Sequence, residues 1–165
     1  MKKSFLYDLL LFRIGTIPKQ RTTWDLDYVA NADADCTLSF MTVNIVGDYT
    51  LEEAASVEGA RNGTFGFTTK TATAHMEDAV AVINGACGVT DATVDTALDI
   101  SARCAGLGAY PIATCPADYD IIMLNEDGTV SFGARPADND MCTPEKRPTT
   151  FEGGAILTKW EAPAE

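Results

Sequence analysis

The stretch from Thr22 to Val46 sets the terms for the rest of the chain. Trp24, Leu26 and Tyr28 alternate with Asp25 and Asp27, a period of two that gives a strand one wet face and one apolar face. A polar link, Asn31 to Asp35, separates it from a second run, Cys36 to Val46, rich in β-branched and bulky residues. Within that run the apolar parity switches. Cys36, Leu38 and Phe40 share one parity, and Met41, Val43 and Ile45 share the other. A bulge near Phe40 and Met41, or burial on both faces, accounts for the switch. The segment is expected to be a β-hairpin pressed onto a core.

Upstream, Phe5, Leu9 and Phe12 fall at helical spacing with Leu6 and Leu10 beside them, which predicts a short amphipathic helix over Ser4 to Phe12. Gly15 and Pro18 end it. Lys2 and Lys3 followed by leucines imitate a secretory signal, but Asp8 interrupts the apolar run and Arg13 closes it. No small-residue cleavage site follows, so this segment is expected to stay in the folded protein. Residues 1–17 then form an N-terminal arm and residues 18–165 a single α+β domain.

Downstream, Gly47-Asp48 reads as a turn, and Thr50 with Glu53 as the capping box of a helix from Leu51 to about Val57. Asn62-Gly63 is a strong hairpin-turn signal, and a Thr-rich strand follows it to Thr73. The pattern from His75 to Ala86 predicts a helix. A second helix, capped by Thr90 or Asp91 and running to about Ala105, would complete an αα unit on one side of the sheet. Tyr119–Leu124 and Thr129–Phe132 flank a turn at Asn125–Gly128. Gly133 to Pro148 is a long loop carrying Pro136, Pro144 and Pro148, and Thr149–Trp160 is a last strand interrupted by Gly153-Gly154. The sum is an α+β fold: an antiparallel β-sheet or sandwich of about six strands with an αα pair and a short N-terminal helix.

With 165 residues and a 46% hydrophobic composition, the chain buries enough surface to hold a core without cross-links. Its net charge of −12, from 24 acidic and 12 basic residues, repels phosphate backbones and excludes nucleic acid as a partner. No run reaches the roughly 20 apolar residues needed to span a membrane as a helix. Of the five cysteines, Cys87, Cys104, Cys115 and Cys142 lie in the second half and Cys36 in the first. The odd number rules out a complete internal set of bridges, and two bridges in the second half compete with free buried thiols.

Several chemistries are argued against by what is missing. The cysteines include no C-x-x-C pair and His75 is the one histidine, so a zinc site of the usual kind is not expected. Asp33/Asp35 and Asp138/Asp140 sit in loops and offer hard oxygen ligands, which leaves a structural calcium as a partner to look for. Any Ser–His or Cys–His mechanism must use His75, and neither a nucleophile elbow nor a phosphate-binding loop occurs. Trp24, Tyr28, Phe40, Phe65, Phe67 and Phe132 are expected in the core rather than around a ligand lumen.

These features point to a non-enzymatic structural subunit of a larger assembly: a virion capsid, decoration or tail protein, or an extracellular filament. No cofactor is implied, and the partners are copies of the chain or other subunits. The residues expected to touch them are Phe5, Leu6, Leu9, Leu10 and Phe12 in the arm, and Met141 in the long loop. The alternative is a secreted β-rich ligand- or partner-binding module with disulfides. A third reading is a small hydrolase or lyase built on aspartate and His75.

Overall fold

A computed structural model describes residues 10–17 and 21–157. They form a β-rich α+β fold: nine strands in antiparallel pairs and one α-helix. The strands are β1 (Leu10–Ile17), β2 (Arg21–Asn31), β3 (Ser39–Ala54), β4 (Arg61–Gly66), β5 (Thr69–Ala74), β6 (Ala97–Asp99), β7 (Ala117–Leu124), β8 (Val130–Phe132) and β9 (Ile156–Leu157); α1 (Glu77–Cys87) follows β5.

The expected hairpin is β2 and β3, and it is the centre of the fold. Ala30 lies opposite Met41 and Asn31 opposite Ser39, so Phe40 is the extra residue of a bulge. That insertion is what shifts the parity, and both Phe40 and Val43 reach the core. β3 is long enough to serve two sheets. Its first half pairs with β2 on one side and β5 on the other, and its second half pairs with β4. One sheet runs β1-β2-β3-β5-β6 and the other β3-β4-β7-β8-β9. β4 and β5 are in effect one strand with a kink, where Thr68 N–H donates to Val46 O (2.8 Å) and Phe67 N–H to Pro116 O (2.9 Å).

Two glycines explain how the sheets part. A Cβ on Gly47 would lie 1.7 Å from Gly66 O, and Trp24 Nε1–H donates to that same oxygen at 2.9 Å. Gly47 is therefore a close-approach residue inside β3 rather than the turn its sequence advertises. The buried Trp24 ring packs on Phe65 and Phe67, and Phe65 packs on Tyr49 and Phe132. Trp24, Phe40 and Phe65 are core, as expected, while Tyr28, Phe67 and Phe132 are partly buried beside them, and among the described residues the strand order does not close into a barrel.

Other expectations give way to strand pairing. Leu10, Leu11 and Phe12 are strand residues, paired in register with Tyr28, Asp27 and Leu26. The N-terminal helix therefore does not extend over them, and its earlier residues lie outside the described ones. Thr50 and Glu53 do not cap a helix. Thr50 sits opposite Thr64 within β3, and β4 supplies the backbone partners a helix would have supplied internally. Asn62 and Gly63 lie inside β4, and the turn falls earlier, where Ala55 N–H donates to Ala60 O and Gly59 has φ 78°.

The helix expected from His75 to Ala86 is α1. It buries Ala79 and Ile83 against the first sheet and stops at Gly88 with φ 65°. The second helix of the αα pair does not form. Val94 bridges Ala74, Asp95 takes φ 55°, and β6 pairs with the free edge of β5. That edge would otherwise leave the backbone groups of Thr71 to Thr73 without partners, a cost helix propensity does not offset.

Candidate functional site

Four features stand out as candidates: the cysteines, the polar face of the first sheet, the long loop, and the outer edge of β1.

The cysteines resolve into two bridges, Cys87–Cys104 and Cys115–Cys142, with Cys36 free and exposed. The first ties the end of α1 to a 3₁₀ turn at Ala105–Leu107. The second ties the chain just before β7 to the long loop. Spacing left bridges and free thiols open; only the fold brings these pairs together. Bridges of this kind persist in oxidising surroundings.

On the polar face of the first sheet, His75 Nε2 lies 2.9 Å from Thr42 Oγ1, and Nδ1 lies 3.1 Å from Asp95 Oδ1. This has the order of a hydroxyl–imidazole–carboxylate triad. Thr42, however, is mid-strand in β3, opposite Val29 on one side and Thr73 on the other, and the Asp95 side chain is 74% exposed. A nucleophile needs space beside it for a substrate and donors for the developing charge, whereas Thr42 is flanked by paired strands, β2 and β5. His75 is a cross-link between β3, the end of β5 and the segment leading to β6. It does not cap α1, whose N-cap is Met76.

The loop from Gly133 to Pro148 is held at both ends through Asp120, on β7. Asp120 is buried, and its Oδ1 accepts from Ile121 N–H (2.7 Å) and Gly133 N–H (3.0 Å). Burial pushes its carboxyl up to about 6, against the pull of those two bonds and of Arg135. At the far end, Arg147 Nη1 donates to Gly63 O (2.6 Å) and to Asp120 O, with the guanidinium over the Tyr119 ring. Between these anchors Arg135 pairs with Asp118 and Lys146 with Asp140. Asn139 donates to Gly108 O and Tyr110 OH to Asp138 O. Met141 is fully buried, its carbonyl accepting from Tyr119 N–H. Its side chain fastens the loop to its own body, which leaves the loop's exposed residues to face any partner.

Lys70 supports the same region from below. It is buried, its Nζ donates to Tyr110 O at 3.0 Å and stands 3.7 Å from the Phe67 ring centre, and desolvation lowers its pKa.

Between the loop and the β3–β4 corner lies an open cleft of about 420 Å³. Glu52, Ser56, Asn62, Glu145, Arg147 and Thr149 supply its polar groups, with Pro144 and Pro148 beside them. Sequence reasoning marked Asn62, Pro144 and Pro148 for turn and loop only and none of the eight for binding, because they come from three separate segments.

The acidic pairs do not converge on a metal. Among the described residues no three His, Cys, Asp or Glu side chains are grouped to hold an ion. Asp25 and Asp27 share the Asn44 amide, Asp33 caps Thr37 and Leu38, and Asp138 and Asp140 accept from backbone N–H groups of their own turn. Among the described residues no helix is long and apolar enough to cross a membrane.

The remaining candidate is β1. It pairs with β2 along all eight of its residues, and among the described residues nothing pairs with its outer edge. Of the expected contact residues, Leu10 and Phe12 lie in this strand, and Phe5, Leu6 and Leu9 precede it, outside the described residues. Comparison of the sequence with protein-family models gives no match, and comparison with curated proteins gives none. What the chain does is therefore argued from its own geometry.

Proposed function

We propose that this chain is a non-enzymatic structural subunit of a larger assembly that works in oxidising surroundings, as a virion or extracellular component. The observation that carries the reading is the edge of β1. Its sequence, Leu10 to Ile17, is apolar apart from Arg13 and Thr16 and contains no proline. Exposed edge strands are normally shortened, charged or covered, because their free N–H and C=O groups recruit another strand. An eight-residue edge with a single charge is built to be covered. Phe5, Leu6, Leu9, Leu10 and Phe12 are the contact residues in this reading, lying along that edge and in the sequence that leads into it. The braced loop and the two bridges support it too, since they stiffen a body that would be repeated many times.

Size-exclusion chromatography with light scattering tests the proposal. The full chain is expected to self-associate or to bind its assembly partner, and Gly15→Lys, a charge placed on the edge strand, to weaken that association. A full chain that stays monomeric at high concentration and alongside its co-expressed neighbours would overturn it.

A second reading, a secreted ligand- or partner-binding module, is favoured by the same two bridges together with the cleft beside the loop. It predicts a monomer that binds through Glu52 and Arg147 rather than through β1.

A further inference from the structure

We infer that the cleft between the long loop and the β3–β4 corner binds a neutral, hydroxyl-rich ligand, of the kind presented by the end of an uncharged glycan. This goes beyond the assembly reading and does not depend on it.

Two fixed groups of opposite charge carry the inference. Arg147 is immobilised by two backbone carbonyls, Gly63 O and Asp120 O, and lies over the Tyr119 ring. Glu52 is held from the other side. Its Oε1 accepts from Thr64 Oγ1 at 3.1 Å, and its backbone carbonyl accepts from Arg61 Nε at 3.0 Å. Arg147 Nη2 and Glu52 Oε1 form a long ion pair at 3.8 Å, with the Glu52 side chain half exposed. That is too long for a hydrogen bond between them, yet close enough for one small ligand to engage both. Groups fixed before the ligand arrives add affinity by removing the entropy of ordering them.

The chemistry of the walls selects the ligand class. An anion would meet Glu52, Glu145 and a molecule of net charge −12. An organic cation would meet Arg147. A greasy ligand could rest on the apolar parts of the walls, Pro144 and Pro148 among them, but would strip water from carboxylates, an amide and hydroxyls without replacing their hydrogen bonds. Adjacent hydroxyls satisfy both sides. One donates to the Glu52 carboxylate while its neighbour accepts from Arg147, and Ser56, Asn62 and Thr149 offer further partners. The volume of about 420 Å³ falls within the range of ligand clefts, roughly 300–1,000 Å³, and suits one or two sugar rings.

Amide NMR titration of the full chain with neutral oligosaccharides (maltotriose, cellotriose and triacetylchitotriose) tests this. A sulfated disaccharide and spermidine serve as charged comparators. At least one neutral sugar is expected to give saturating shifts confined to Glu52, Ser56, Asn62, Glu145 and Thr149. Glu52→Ala with Glu145→Ala is expected to weaken that binding about tenfold or more. Glu52→Gln, which keeps an acceptor toward Thr64, is expected to weaken it less. The same spectra report whether each variant is folded. The inference is overturned if no neutral sugar shifts these residues, if the double variant binds as well as the native chain, or if a charged comparator binds more tightly.

Discussion

The Asp120 carboxyl should favour the folded state more in mild acid than at neutral pH. Its buried carboxyl titrates near 6 in the folded chain, against an ordinary value of 3.8. Between those values the folded state holds the proton and the unfolded state does not. Stability therefore falls as pH rises through the window, and the fall is complete a little above the folded pKa. A shift of roughly two units corresponds to ~3 kcal/mol. The perturbation that isolates it is Asp120→Asn, which keeps an oxygen to accept from Ile121 N–H and Gly133 N–H and removes the charge. Urea denaturation of both proteins at about pH 4 and about pH 7.5 gives the measurement, and the difference between them is expected to move in favour of the Asn variant by ~2–3 kcal/mol across that range. The difference is the quantity to read, because hydrogen bonds give Asp33, Asp99, Asp127 and Asp140 lowered pKa values. Those groups contribute stability that is lost as pH falls, and so tilt the whole-protein profile the other way. A difference that stays flat with pH, or moves against the Asn variant, would refute the argument that burial rather than Arg135 governs this carboxyl.

Replacing Cys115 and Cys142 by serine removes a bridge spanning 27 residues; a loss of about 2–4 kcal/mol is expected in the same denaturation assay, and reduction of the native protein, which opens both bridges, should cost at least as much. Gly47→Ala places a Cβ 1.7 Å from Gly66 O and should cost about 3 kcal/mol, seen as a lowered Tm, because backbone rather than a flexible side chain must yield. His75→Ala removes two half-exposed side-chain links and should cost about 1 kcal/mol, with no effect on association through β1. Association itself should strengthen with added salt, since two copies that each carry −12 repel until their charges are screened; light scattering at low and physiological ionic strength reads this directly.

Where the sequence was legible, one local pattern had one structural solution. The alternation of Trp24 to Tyr28, the parity switch at Phe40 and the strand–turn–strand pattern from Tyr119 to Phe132 all survive into the fold. The helix expected from His75 to Ala86 survives as α1, which buries Ala79 and Ile83. Where it misled, a local signal lost to pairing between distant segments. Thr50 and Glu53 spell a helix start, but β4 lies alongside. Asn62-Gly63 spells a tight turn, yet Gly63 is needed where a Cβ would strike the Phe65 ring at 2.8 Å. Val94, Ala97, Leu98 and Ser101 lie at helical spacing, but a bare β5 edge draws Ala97–Asp99 into a strand. Glycine marks both a turn and a close approach, and only the partner strand decides which.

The site was the least legible part, and for a physical reason. Arg147 has an ordinary sequence context, between Lys146 and Pro148. It matters because its guanidinium reaches Gly63 O and Asp120 O, which lie side by side across β4 and β7. Asp120 sits in a run, Asp118-Tyr119-Asp120, that reads as the wet face of a strand. Asp118 is largely covered by its partner Arg135, whose own side chain is exposed. Asp120 is buried, because the loop it fastens folds back over it. Both cases turn on a backbone carbonyl or N–H that is left over when β8 covers only the end of β7. The unpaired stretch of β7 is what the loop repairs, through Tyr119 N–H, Ile121 O and the Asp120 carboxylate. The cleft beside Glu52 is a by-product of that repair: the wall that closes β7 also overhangs the corner of β3 and β4. Strand lengths, more than any motif, thus decide where the cleft lies.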